Sequence, residues 1–172
     1  MTIRSNIIMA VAAAALGATS VAAAPVSSPT PPAGRALLLI PLTLTKIDDL
    51  SFGSVVPSAV SGTVVINAVT GARSVAGGVT AMPSDVGQRA YFGGAGSPNQ
   101  QVIVTVTAPT VLTSAASDTL TVLALTLDGP PLRSIDPVDR TFFFGVGGII
   151  LVGADQPEGV YTSDYDVTAN YL

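Results

Sequence analysis

Histidine, cysteine and tryptophan are absent from all 172 residues. Without histidine there is no Ser-His-Asp type of triad. Without cysteine there is no thiol nucleophile, no disulfide and no thiolate metal site. Losing both residue types removes nearly every zinc site as well. Charge is also scarce, because Asp, Glu, Lys and Arg make up only 10% of the chain and Lys46 is its sole lysine. A Ser–Lys catalytic pair would have to use Lys46, which lies between a threonine-rich stretch and two acids with no accompanying motif. The formal net charge of −4 argues against nucleic acid or an anionic membrane surface as partner, since both select basic patches. Gly93-Gly94-Ala95-Gly96 is glycine-rich, yet no lysine follows and no helix starts there, so it reads as a turn rather than a phosphate cradle. The expectation is a chain that is not an enzyme and holds no cofactor and no metal.

What the chain does contain begins with a leader. Arg4 supplies a positive start, Ile7 to Leu16 is an uncharged apolar run, and Val21-Ala22-Ala23 offers small residues for cleavage. Residues 1–23 therefore read as a secretory signal, too short and lacking the charge cluster of a membrane anchor. The mature chain is expected in the periplasm, at the cell surface or outside the cell, with no transmembrane span. Residues 24–35, rich in proline and serine, read as a flexible tether. The folded domain is expected over residues 36–172.

Within that domain the dominant signal is alternation. Leu38, Ile40, Leu42 and Leu44 share one face of a first strand, Ala36 to Thr45, interrupted by Pro41. This regular apolar face is a candidate edge or donor strand. Lys46 to Asp49 reads as a turn and Pro57 to Gly62 as a loop. Thr63 to Ala68, Arg73 to Thr80, Arg89 to Gly93, Gln101 to Thr107 and Leu120 to Leu127 read as strands, with Gly93 to Asn99 a turn cluster. Asp128 to Asp139 is the longest polar, proline-rich loop, and it and Met82 to Gln88 are the loops best placed to contact a partner. Thr141 to Phe144 and Gly148 to Val152 read as the arms of a hairpin around Gly145-Val146-Gly147. Gly159 to Leu172 reads as one final strand, with Tyr161, Ser163, Tyr165, Val167, Ala169 and Tyr171 on its inner face.

Roughly nine short strands without an amphipathic helix predict a single all-β domain, an antiparallel immunoglobulin-like β-sandwich. A transmembrane barrel fits less well, since the strands are short and aromatics make up only 5% of the chain. The acid pairs Asp48 with Asp49, Asp136 with Asp139, and Asp164 with Asp166 are the candidate calcium ligands, but none follows the EF-hand pattern. Solvation of a strand face is the simpler reading of Asp164 and Asp166.

Two motifs carry a resemblance. Leu50-Ser51-Phe52-Gly53 follows the first apolar strand. Gly147 to Gly153 is followed by Gly159-Val160-Tyr161 and by Tyr165 to Tyr171. On Phe52, Gly53, Gly159, Tyr161, Tyr165 and Tyr171, over roughly Leu42 to Tyr171, the chain resembles the bacterial family called domain of unknown function 4402. More distantly it is similar to spore-coat-U-like and chaperone–usher pilus subunits, although the disulfide common in many of those is missing. The resemblance to pilus subunits implies a fimbrial or adhesive structural protein. Such subunits self-associate by strand donation, with a periplasmic assembly chaperone as a further partner. The residues alone leave open a monomeric exported binding module with an immunoglobulin-like fold. Export itself has a direct check: N-terminal sequencing of protein recovered from its own host should begin at Ala24, and an intact Met1 would rule out the leader.

Overall fold

The computed structural model describes Thr30, Pro31 and residues 33–172. The expected signal, residues 1–23, lies outside the described residues, as does most of the expected tether. All the strands belong to the unit Leu38–Leu172. They are β1 (Thr43–Asp48), β2 (Val55–Ile66), β3 (Arg73–Ala81), β4 (Ala90–Ala95), β5 (Gln101–Thr107), β6 (Val111–Thr113), β7 (Thr119–Leu127), β8 (Leu132–Ser134), β9 (Thr141–Val152) and β10 (Asp166–Tyr171). Among the described residues there is no helix, and hence none long and apolar enough to cross a membrane. The architecture is an all-β antiparallel sandwich. A seven-stranded sheet, ordered β1-β4-β9-β2-β3 with β7 and β6 branching from β9, packs against a three-stranded sheet, β10-β5-β8.

β9 is the axis of the large sheet. Its first half, Thr141 to Val146, pairs with β4, and its second half, Gly148 to Val152, pairs with β2. β7 pairs with Val146 to Leu151. With a period of two, Phe142, Phe144, Val146, Ile150 and Val152 share one face and are all buried. The first three join Ala90, Phe92, Val102, Val104 and Ile135 in one core cluster, which the small sheet covers with Val167, Ala169 and Tyr171. Phe92 and Phe144 stack there with ring centroids 5.2 Å apart. Ile150 and Val152 belong to a second cluster with Val64, Val79, Leu120 and Val122.

Several expectations fail, each for a local physical reason. The hairpin around Gly145-Val146-Gly147 does not form, and β9 runs straight through. A Cβ on Gly147 would lie 2.2 Å from the Ile66 carbonyl oxygen and 2.5 Å from the Ala68 nitrogen, so glycine is there to let a neighbouring chain cross closely. The Gly93 to Asn99 turn cluster likewise begins inside β4, where a Cβ on Gly94 would meet the Phe142 ring at 2.3 Å. The expected loop Pro57 to Gly62 lies within β2, as a register irregularity in its ladder with β3. Pro57, with no N–H, accounts for the broken ladder. The expected turn Lys46 to Asp49 is mostly the end of β1, with a shift between Lys46 and Asp48.

Asp128 to Asp139 is not loop throughout, although Pro130 to Leu132 and Asp136 to Asp139 are exposed. It contains β8, which pairs with β5, and it buries Ile135. Asp128 accepts hydrogen bonds from the Gly145 N–H at 2.8 Å and from Arg133 at 2.5 Å. Asp136 accepts the N–H groups of Val138 and Asp139, and the Asp139 bond followed by the Val138 bond lowers its pKa. The final strand is shorter than expected, since regular pairing covers only β10 against β5.

Phe144 is fully buried at the crossing of the two sheets. Phe144→Ala should therefore lower the unfolding free energy by about 3–5 kcal/mol, read by chemical denaturation. A loss below about 1 kcal/mol would mean that the two sheets do not meet on this ring.

Candidate functional site

The two core clusters are not equally covered. The first lies beneath the three-stranded sheet. Against the second pack Phe52, Val55 at the start of β2, Leu112 of β6 and Tyr161. The result is an open groove of about 750 Å³. Its floor is made by Leu120, Val122, Leu125, Ile150 and Val152. One wall is Leu50 to Pro57 and the other is Gln156 to Tyr165. A second hollow of about 540 Å³, lined by Leu44, Lys46, Asp49, Leu50, Phe92 and Ser163 to Val167, adjoins it. The two hollows share Leu50, Ser163 and Tyr165. Together they make a seam along the side of the sandwich, flanked by β1 and by β10.

Both flanks end in free backbone edges. β1 pairs with β4 alone and β10 with β5 alone. Edge strands of this kind present unpaired N–H and C=O groups, a template for a further strand.

The Phe52-Gly53 motif builds the first wall. Gly53 has a φ of +69°, and a Cβ there would lie 2.5 Å from Arg73 and 2.6 Å from the Asp85 carbonyl oxygen. The Arg73 guanidinium donates to the carbonyls of Phe52, Ser54, Asp85 and Met82, fastening the wall to the Met82 to Gln88 loop. That loop, expected as a contact surface, is exposed from Met82 to Val86 and places Asp85 in the lining of the groove. Gly53 turns the chain so that the Phe52 ring lies against Gly148 of β9.

The tyrosines divide between the two halves. Gly159 lies in the far wall. Tyr161 packs on the second cluster, where its hydroxyl donates to the Pro157 carbonyl at 2.7 Å and accepts from Gln156 at 3.0 Å. The backbone of Thr162 bridges to Thr113. Tyr171 lines neither hollow and packs on the first core cluster. Its hydroxyl accepts the Ser97 N–H at 2.7 Å and donates to the Ile40 carbonyl at 2.9 Å, while the Ile40 N–H donates to Ser97 Oγ at 2.9 Å. Tyr165 sits where the two hollows meet. Its hydroxyl is buried without a hydrogen-bond partner. Burial, and to a smaller degree Asp49, pushes its pKa up to about 12.

The structure separates the four residues of the candidate donor strand. Leu42 and Leu44 pack on the first core cluster of their own chain. Ile40 is held by its backbone to Ser97 and Tyr171. Leu38, outside any strand, is 88% exposed. Of the acid pairs, Asp49, Asp164 and Asp166 line the smaller hollow, and Asp49 is paired with Lys46. No group of three or more acids with metal-binding geometry occurs among the described residues. The groove itself was missed by sequence reasoning. Its one signal was the pairing of an early Phe-Gly with a late Gly-x-Tyr, which form its opposite walls.

The family model described as Domain of unknown function (DUF4402) matches residues 42–171. The chain belongs to that family. The match takes in both walls of the seam, the Phe52-Gly53 turn and all three late tyrosines, so the seam lies within the family domain of this chain. No curated protein and no solved structure matches the chain.

The Tyr165 hydroxyl gives this site a pH signature. A tyrosine in the unfolded chain ionises near pH ~10. The folded chain holds the proton to about 12. The stabilisation is complete below pH ~10 and is lost as pH rises towards ~12. Tyr165→Phe should remove that alkaline loss, measured by denaturation across pH, and leave neutral-pH stability unchanged or slightly raised because no hydrogen bond is broken. Identical alkaline profiles for the two proteins would count against a buried Tyr165 hydroxyl.

Proposed function

We propose that this protein is an exported structural subunit of a cell-surface assembly, whose open seam takes up an extended apolar strand from a second copy. The observation that carries the reading is the open groove beside the second core cluster, with the exposed Val56 and Val160 in its lining. Its hydrophobic floor lies between two walls, and the smaller hollow that adjoins it is lined by β1 and β10, each with a free backbone edge. An inserted strand would gain main-chain hydrogen bonds from the edges and bury alternate side chains on the floor, the physics of β-augmentation. The distant similarity to pilus subunits read from the sequence favours the same mode. So does the leader at residues 1–23, which would deliver the chain out of the cytoplasm.

The donor is the apolar run that precedes β1. Leu38 to Ile40 lies outside the strands, and Leu38, Leu39 and Ile40 are exposed. Pro41 keeps the run from extending β1, since it has no N–H for the ladder. An assembly chaperone lending a strand of its own would occupy the same seam before a second copy does. The role is architectural, with no catalytic step.

Full chain exported by its own host should form a ladder of oligomers on size-exclusion chromatography that survives mild detergent, with filaments or chains in negative stain. Leu38→Asp should abolish the ladder and leave the thermal unfolding of the domain unchanged, because Leu38 makes no core contact. Strictly monomeric protein under all conditions would overturn the reading.

A further inference from the structure

The apolar floor accepts any greasy strand, so selection of the right one must come from the rim. Around the smaller hollow the rim is acidic. Asp49, Asp164 and Asp166 line it together with Lys46. Lys46 is engaged with Asp49 in an exposed i,i+3 pair, which leaves Asp164 and Asp166 as uncompensated negative charge. Both are exposed, and neither has an ion-pair partner among the described residues.

The cations of the chain are few. Arg73, Arg89 and Arg133 each donate to groups within the same domain. Arg35 differs in its setting. It is exposed and immediately precedes Ala36-Leu37-Leu38-Leu39-Ile40, the uncharged apolar run identified above as donor. No other charge lies between residue 5 and residue 45.

Resting on the strand-donation reading, we propose that the occupant of the seam is Arg35 to Leu39 of a second copy, and that its Arg35 seats against Asp164 and Asp166. The leucines supply affinity by filling the groove beside Val56 and Val160, the exposed apolar residues of its lining. The arginine supplies selection and sets how far along the seam the strand slides, since its methylene stem lies along apolar surface while the guanidinium stays at the wet rim. The inserted backbone also brings a carbonyl oxygen to the Tyr165 hydroxyl, which in the free domain is buried without a partner. A seam with an acidic rim rejects strands led by acids, which in a chain with one Lys and six Arg against eleven acids excludes most other segments of the same protein.

The test follows assembly of the full chain by light scattering after dilution from denaturant, at low and high salt, since rim charges act mainly on the association rate. Arg35→Glu should slow assembly about tenfold at low salt, with the difference shrinking to less than about threefold near 0.5 M salt as the charges are screened. Asp164→Lys with Asp166→Lys should slow it similarly. The three changes combined in one chain should restore the rate. All three positions are exposed, and circular dichroism with thermal unfolding identifies any variant that misfolds. If Leu38→Asp abolishes assembly while Arg35→Glu has no effect, the charge latch is wrong and strand donation stands. If Arg35→Glu slows assembly but the combined variant does not recover, Asp164 and Asp166 are not its seat. If the full chain stays monomeric, with its own segment in the seam, both the latch and the strand-donation reading fall.

Discussion

β9 offers one continuous apolar face to a sandwich that covers only part of it. Phe142, Phe144 and Val146 lie beneath the three-stranded sheet, whereas Ile150 and Val152, on the same face of the same strand, look into the groove. Ile150 and Val152 are already buried, so any gain from filling the groove comes from the exposed Val56 and Val160 that line it, since burying a large apolar side chain contributes roughly 1.5–3 kcal/mol. The groove follows from this mismatch between the length of β9 and the width of the sheet above it.

The seam is kept open by fixed walls rather than by chance. Arg73 ties the Phe52-Gly53 turn to its neighbouring loop, and Tyr161 with Gln156 holds the opposite wall. Tyr171 joins Ile40 to Ser97 and so marks where the body of the domain ends and the apolar run begins. A preorganised groove loses little entropy when a strand enters, because its walls are already ordered.

Much of the strand pattern was legible in the residues. Gln101 to Thr107 alternates cleanly because one of its faces is core and the other solvent, and β5 has those bounds. The inward positions Val167, Ala169 and Tyr171 follow from the same rule. Glycine and proline misled where they served other ends. Gly94 and Gly147 make room for a ring and a crossing chain, a need set by residues far away in sequence. Pro57 disturbs a ladder without ending the strand. Local signals of turning and of close approach use the same residue types, and only the neighbours tell them apart.

By itself, then, the sequence determined the class of the protein. Alternating β-branched residues specify half-buried strands, and missing histidine and cysteine remove most covalent and metal chemistry. It also marked Phe52, Gly53, Gly159 and the three late tyrosines as related. Only the tertiary structure decided that Phe52, Gly53, Gly159, Tyr161 and Tyr165 line one open groove while Tyr171 packs on the first core cluster, that Leu42 and Leu44 belong to their own core, and that Leu38 does not. The reason is physical. Periodicity reports which face of a strand is apolar, but whether anything covers that face depends on pairings between segments that may lie a hundred residues apart, such as the Tyr171 hydroxyl and the Ile40 carbonyl.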